Sequence, residues 1–152
     1  MAPSAARFSL RPFRDDTEAN DPAAGEIDAA MATFDRFVAL ERAFDASVAD
    51  LYADDGIVIE RIIADGVERR AREIPMQRYK AALARALRAH AHAPEVASHS
   101  QVRAERIAPG WVSVRTLRRS SASRAAAPYE LLLRRGGDGV WRIVKEMATV
   151  AL

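Results

Sequence analysis

The stretch Phe44-Asp45-Ala46-Ser47-Val48-Ala49-Asp50-Leu51-Tyr52-Ala53-Asp54-Asp55-Gly56-Ile57-Val58-Ile59 constrains the fold more than any other part of the chain. It reads as a helix end, a capped short helix, an acidic turn and a strand, in that order. Asp45 is placed as an N-cap, its carboxylate accepting from the free N–H groups of the next turn. Ala46–Ala53 then reads as a short helix presenting Val48, Leu51 and Tyr52. Asp54-Asp55-Gly56 stops it, with Gly56 suited to the positive φ of a helix exit. Ile57–Ile63 is β-branched and reads as a strand. The stretch therefore turns the chain from helices into a sheet.

Residues 1–24 carry Pro3, Pro12 and Pro22 with no period of 2 or 3.6, and read as a flexible N-terminal arm. The remainder, 25–152, reads as one domain. Its first helix runs from Gly25 or Glu26 to Phe44, with Ile27, Met31, Phe34, Phe37, Val38, Leu40 and Phe44 on one apolar face. Glu41 falls inside that face, so its carboxylate either reaches water at the stripe edge or points into a cavity. Ala64-Asp65-Gly66 is a hairpin signal, because Asp-Gly suits a primed turn. Val67–Glu73 returns as a charged edge strand. Pro75–Ala89 reads as a helix with Met76, Tyr79, Leu83 and Leu87 on one stripe. Strands follow over 98–107, 111–119, 128–135 and 140–150, separated by Gly- and Pro-containing turns.

Composition excludes several classes. With 49% apolar residues in 152, the chain can build a core. The 23 basic and 21 acidic residues nearly cancel, and no basic face marks a nucleic-acid footprint. Cysteine is absent, which removes disulfides and thiolate chemistry. No apolar run approaches a membrane span, and the early arginines have no apolar segment after them, so a cytoplasmic protein is expected.

Leu51-Tyr52-Ala53-Asp54-Asp55 ahead of the first strand, Trp141-Arg142-Ile143 in the last, and the order of elements resemble the nuclear transport factor 2-like superfamily over about residues 26–150. The ketosteroid isomerase-like and polyketide cyclase-like branches look closest. The resemblance implies an α+β fold: three helices packed on a strongly curved, mixed but mostly antiparallel sheet, forming a cone with an internal pocket. It also implies a homodimer packed through the sheet. One branch uses an aspartate base with a tyrosine and a protonated aspartic acid as donors. That set finds no match here, since no aspartate lies within the expected strands after Asp65.

Two readings stay open: a pocket for a small apolar or weakly acidic molecule, serving proton transfer of the isomerase, cyclase or dehydratase type if it is an enzyme, or a non-catalytic dimerisation or interaction module; no cofactor and no metal are expected. Phe34, Phe37, Leu51, Tyr52, Tyr79, Leu83, Trp111, Tyr129 and Trp141 are the candidate pocket lining. Glu41 and Arg115 are the candidate catalytic pair, with Glu130 and Glu146 as further polar contacts. Strand parity leaves one question open: if Trp111 faces the pocket then so does Arg115, whereas if Val112 does, Arg115 faces out. His90 and His92 face apart on a helix and do not chelate there, whereas in an extended segment they could, with Glu95 as the nearest carboxylate; the plainer reading is a frayed helix end, where a partly charged histidine suits the negative dipole, and His99 falls in the strand over 98–107.

Overall fold

The computed structural model describes residues 21–89, 96–120 and 125–151. The arm up to residue 20, and with it His90 and His92, lies outside them. Helix α1 spans Pro22–Arg42. It starts earlier than Gly25 because Asp21-Pro22 is itself a start signal: the Asp21 carboxylate accepts from Ala23 N at 3.0 Å, and proline fills the first position, where no N–H is needed. A short 3-10 helix, Ala46–Leu51, follows under the Asp45 cap, whose carboxylate accepts from Ser47 N at 2.9 Å. Strand β1 is Tyr52–Ala64, β2 is Val67–Pro75, and helix α2 is Met76–Ala89. Strands β3 (Ala97–Ala108), β4 (Trp111–Ser120), β5 (Ala127–Arg135) and β6 (Trp141–Ala151) complete the chain.

The strands form one open mixed sheet in the order β2-β1-β6-β5-β4-β3. Only the β1–β6 pairing is parallel; the other neighbours are antiparallel. Asp65 and Gly66, at φ 53° and 74°, make the tight β1–β2 turn that Asp-Gly favours. The helices lie on one face. Register settles the parity there: Val112, Val114 and Thr116 of β4 lie opposite Leu133, Leu131 and Tyr129 of β5, which lie opposite Ile143, Glu146 and Ala148 of β6. The apolar side chains among them meet Ala30, Phe34 and Phe37 of α1 and Val48 and Tyr52 in one core. Trp141 belongs to it at 8% exposure.

Two expectations about the opening stretch change. The strand begins at Tyr52, not at Ile57, and Gly56 does not take a positive φ. Gly56 is required for a different reason: a Cβ there would stand 2.4 Å from the Val144 carbonyl oxygen and 2.9 Å from the Met76 methyl. Among the described residues, no helix is long and apolar enough to cross a membrane.

Candidate functional site

Glu146 sits near the middle of β6, flanked by Leu131 on β5 and Val58 on β1, and is 5% exposed. A carboxylate there loses its water shell and needs partners. Three tyrosines supply them. Tyr129 donates its hydroxyl to Oε1 at 2.6 Å, Tyr52 to Oε2 at 2.8 Å, and Tyr79 to Oε1 at 3.3 Å. Each arrives from a different element. Tyr129 lies diagonally across the β5–β6 ladder on the same face, within reach of a long side chain. Tyr52 stands at the mouth of β1, and Tyr79 comes down from the first turns of α2.

Burial is the largest influence on Glu146 and raises its proton affinity; the three hydroxyl bonds oppose it, and the nearby charge of Glu41 adds to the rise. The same burial, with the Glu146 charge beside them, drives the three tyrosines well above the usual phenol range. They therefore act as neutral donors.

The carboxyl group opens onto a cavity of about 330 Å³, walled also by Glu41, Tyr79, Leu83, Arg118 and Tyr129. Arg118 lies beside His99 across the β3–β4 ladder. Its guanidinium stands 5.7 Å from the Tyr129 ring centre, and its Nη2 is 3.6 Å from Glu41 Oε1. Its Nε is buried and has no hydrogen-bond partner. His99 is buried too, 3% exposed at the side chain, with Nδ1 2.9 Å from Thr116 Oγ1 and Nε2 3.6 Å from the same Glu41 oxygen. Phe34, Phe37 and Tyr129 meet the imidazole edge-on. Glu41 is thus held between a cation and a fixed imidazole, at 20% side-chain exposure.

The sequence candidates divide. Glu41, Tyr79, Leu83, Tyr129 and Glu146 line the cavity, and Tyr52 reaches it through its bond to Glu146. Phe34 and Phe37 form the core behind His99, Trp141 is core, and Leu51 packs against that core. Arg115 is not at the site. It points outward at 66% side-chain exposure and pairs with Glu130 at 3.1 Å. Trp111 shares that outer parity and lies 5.7 Å from the Arg134 guanidinium. Val112 and Val114 take the inner face, and Trp111 and Arg115 follow the pleat outward. His99, Thr116 and Arg118 were missed. Two-residue steps from Val114 reach Thr116 and Arg118, so strand parity was the available signal. His99 lies in β3, within the strand expected over 98–107, and its side chain turns toward Glu41. Among the described residues, no group of three His, Cys, Asp or Glu side chains is arranged to hold a metal ion.

This architecture is the cystatin-like, nuclear transport factor 2-like α+β fold. A protein with a cystatin-like fold from Caulobacter vibrioides superposes with a TM-score of 0.59 at 18% identity, covering 82% of this chain and 89% of that one. A candidate scytalone dehydratase from Novosphingobium aromaticivorans gives 0.57 at 13% identity, covering 82% and 83%. A candidate ketosteroid isomerase from Shewanella frigidimarina gives 0.55 at 15%, covering 81% and 96%. No protein-family model matches the chain, and no curated protein matches it.

Proposed function

We propose that this protein is a small-molecule enzyme that moves a proton at a carbon next to a carbonyl, with Glu146 as the acid–base group. The observation that carries the reading is Glu146 itself: a buried carboxyl, held by three tyrosine hydroxyls, on the wall of a cavity. A carboxylate whose proton affinity is raised by burial is a stronger base than an exposed one and is suited to take and return a proton. In the forward step the substrate C–H proton passes to the Glu146 carboxylate, the C–H electron pair forms a carbon–carbon double bond, and the carbonyl π pair moves onto oxygen as an enolate. Arg118, whose buried Nε–H has no partner, faces the developing negative charge. Returning the proton to another carbon completes an isomerisation; in a β-hydroxy ketone, the enolate instead expels the hydroxyl group as its C–O bond breaks, and the Glu146 carboxyl gives that oxygen its proton so that it leaves as water. The two structural neighbours assigned as a candidate dehydratase and a candidate isomerase agree with this class of step.

The charges of the wall favour a neutral, weakly C–H-acidic head over an anion. Among the described residues, Glu41, Glu60 and Glu146 face the cavity beside one lining cation, Arg118. The test is α-deuterium exchange. A panel of cyclic ketones and enones is incubated in heavy water with the protein and followed by proton NMR. Wild type is expected to accelerate exchange of at least one member, and Glu146→Gln to lose about 10²–10⁴-fold of that rate. Equal rates in the two proteins would overturn the assignment.

The expected homodimer belongs to the same proposal. The face of the sheet away from the helices presents half-buried Ile57, Ile59, Leu132 and Met147 with Trp111. Pairing two such faces leaves the cavity free, and light scattering at micromolar concentration reads the outcome directly: a monomer refutes it.

A further inference from the structure

Glu60, Tyr79, Leu83 and Ala86 belong to two walls at once. On one side they face the polar chamber around Glu146. On the other they face a groove of about 410 Å³ between β2 and α2, closed by Ile74, Ala82 and the arginines Arg72 and Arg78. The chamber alone, at about 330 Å³, is near the small end of ligand sites, which run to roughly 1,000 Å³. The two spaces also differ in chemistry. The chamber collects Glu41, Arg118, Tyr129 and Glu146. The groove is floored by Ile74, Ala82, Leu83 and Ala86, and its charges balance: Arg72 and Arg78 against Glu60 and Glu73. Arg72 and Glu60 are paired with each other, Nε to Oε2 at 3.1 Å, where the two spaces meet.

The surface of α2 shows why the groove exists. Tyr79, Leu83 and Ala86 recur at helical spacing and face the sheet, yet only Met76 of this helix is fully buried. Beside the core-facing Tyr79 and Leu83, α2 carries only the small, exposed Ala82 and Ala86, and the space over them is the groove. Tyr79 is the partition: its hydroxyl is held on Glu146 at 3.3 Å, and its ring meets Tyr52 edge-on at 5.6 Å.

We propose that the substrate of this site is elongated and amphipathic. Its carbonyl head occupies the chamber against Glu146 and Arg118. An uncharged apolar arm passes Tyr79 and lies in the groove on Ile74, Ala82 and Leu83. This rests on the acid–base reading above and names the substrate class for it.

The test uses cyclohexanone and its 4-methyl, 4-propyl and 4-pentyl derivatives, with binding by calorimetry and α-deuterium exchange by NMR. The expected result is weak binding of the parent, then tightening by about fourfold for each methylene that enters the groove. Ala82 is exposed and lines only the groove, so Ala82→Trp fills the groove without touching the chamber or the core. That variant is expected to bind and exchange the parent ketone like wild type and to lose the chain-length gain. A flat series in wild type, with the parent still bound and exchanged, overturns the arm and leaves the acid–base reading standing. A gain that survives in Ala82→Trp places the arm elsewhere and also overturns it. If no member is bound or exchanged, the acid–base reading falls and this inference with it.

Discussion

Replacing Glu146 separates its charge from its role as an acceptor. The folded protein holds the Glu146 proton over a pH range where the unfolded chain has released it, because burial raises its affinity. The stability this represents is fully present below the ordinary glutamate range and is lost as pH rises through the folded value. Each tenfold change in proton affinity is worth about 1.4 kcal/mol. Glu146→Gln removes the titration and keeps an acceptor for Tyr129 and Tyr79, while its new amide can donate to the Tyr52 oxygen. Glu146→Leu keeps the volume but leaves the Tyr52 and Tyr129 hydroxyls buried without an acceptor; Tyr79, only half-buried, can turn to water. A stranded buried hydroxyl costs about 1–3 kcal/mol, so the leucine variant should lose about 2–6 kcal/mol relative to glutamine. Urea unfolding at pH 4 and pH 8, on either side of the ordinary glutamate range, reads both effects. The leucine variant should be the least stable at both, and the glutamine variant should gain on wild type between pH 4 and pH 8. An unchanged difference between wild type and glutamine across that interval would refute the raised affinity. Equal stabilities of leucine and glutamine would refute the part played by the tyrosines.

Gly56→Ala should destabilise by about 1–3 kcal/mol in the same assay, because the new methyl meets the Val144 carbonyl, which is backbone and cannot turn aside. Trp141→Ala should cost about 3–5 kcal/mol from the core it helps fill. Glu26 accepts from Gly110 N at 2.9 Å and from Arg106, which lowers its proton affinity; its contribution is present above the ordinary glutamate range and lost as pH falls through the folded value, so Glu26→Gln should flatten the acid limb of a thermal-melting profile. Arg115→Ala, cutting an exposed pair, should change stability by less than about 1 kcal/mol and leave ketone binding intact, whereas Arg118→Met should abolish exchange; the reverse result would restore the outward-facing arginine as the catalytic one.

The layering of this fold was legible because its signals are local. Apolar spacing on α1 and α2, the Asp45 cap and the Asp65-Gly66 turn each depend on a few neighbouring residues, and each appears where the pattern put it. The site was only half legible, because it depends on pairing. Glu41 drew notice as a carboxylate inside an apolar stripe, and it does face the cavity. Glu146 could be named but not ranked: its distinction is that Tyr52, Tyr79 and Tyr129, far apart in the chain, converge on it. His99 and Arg118 are neighbours only through the β3–β4 register, which carries a shift between Ser100 and Arg103 that simple alternation does not reveal.

The stretch that turns the chain from helix to sheet also builds part of the site. Along the parallel β1–β6 ladder, Tyr52 is opposite Ile143 and Ile57 is opposite Lys145, so five steps on β1 match two on β6. Residues 53–56 stand against Val144 alone, an excess of three on β1, and an irregularity of this kind bends a strand and re-aims a side chain. On the other side of β6, Leu132 pairs with Lys145 and Leu133 with Ile143, which leaves Val144 as an extra residue at the same level. Gly56 fits against that Val144 carbonyl because it has no Cβ. The two irregularities sit side by side, and the chain on either side of them delivers Tyr52 and Glu146 to the same face. Ala53-Asp54-Asp55-Gly56 therefore does more than end a helix. A strand running from Tyr52 without the excess would place a different β1 residue opposite Ile143, and Glu146 would lose its 2.8 Å donor. Deleting two residues from this segment should leave the Tyr129 bond to Glu146 in place and remove the Tyr52 bond. Tyrosine hydroxyl resonances shifted by a carboxylate partner would then fall from two buried signals to one, and two surviving signals would show that the irregularity does not position Tyr52.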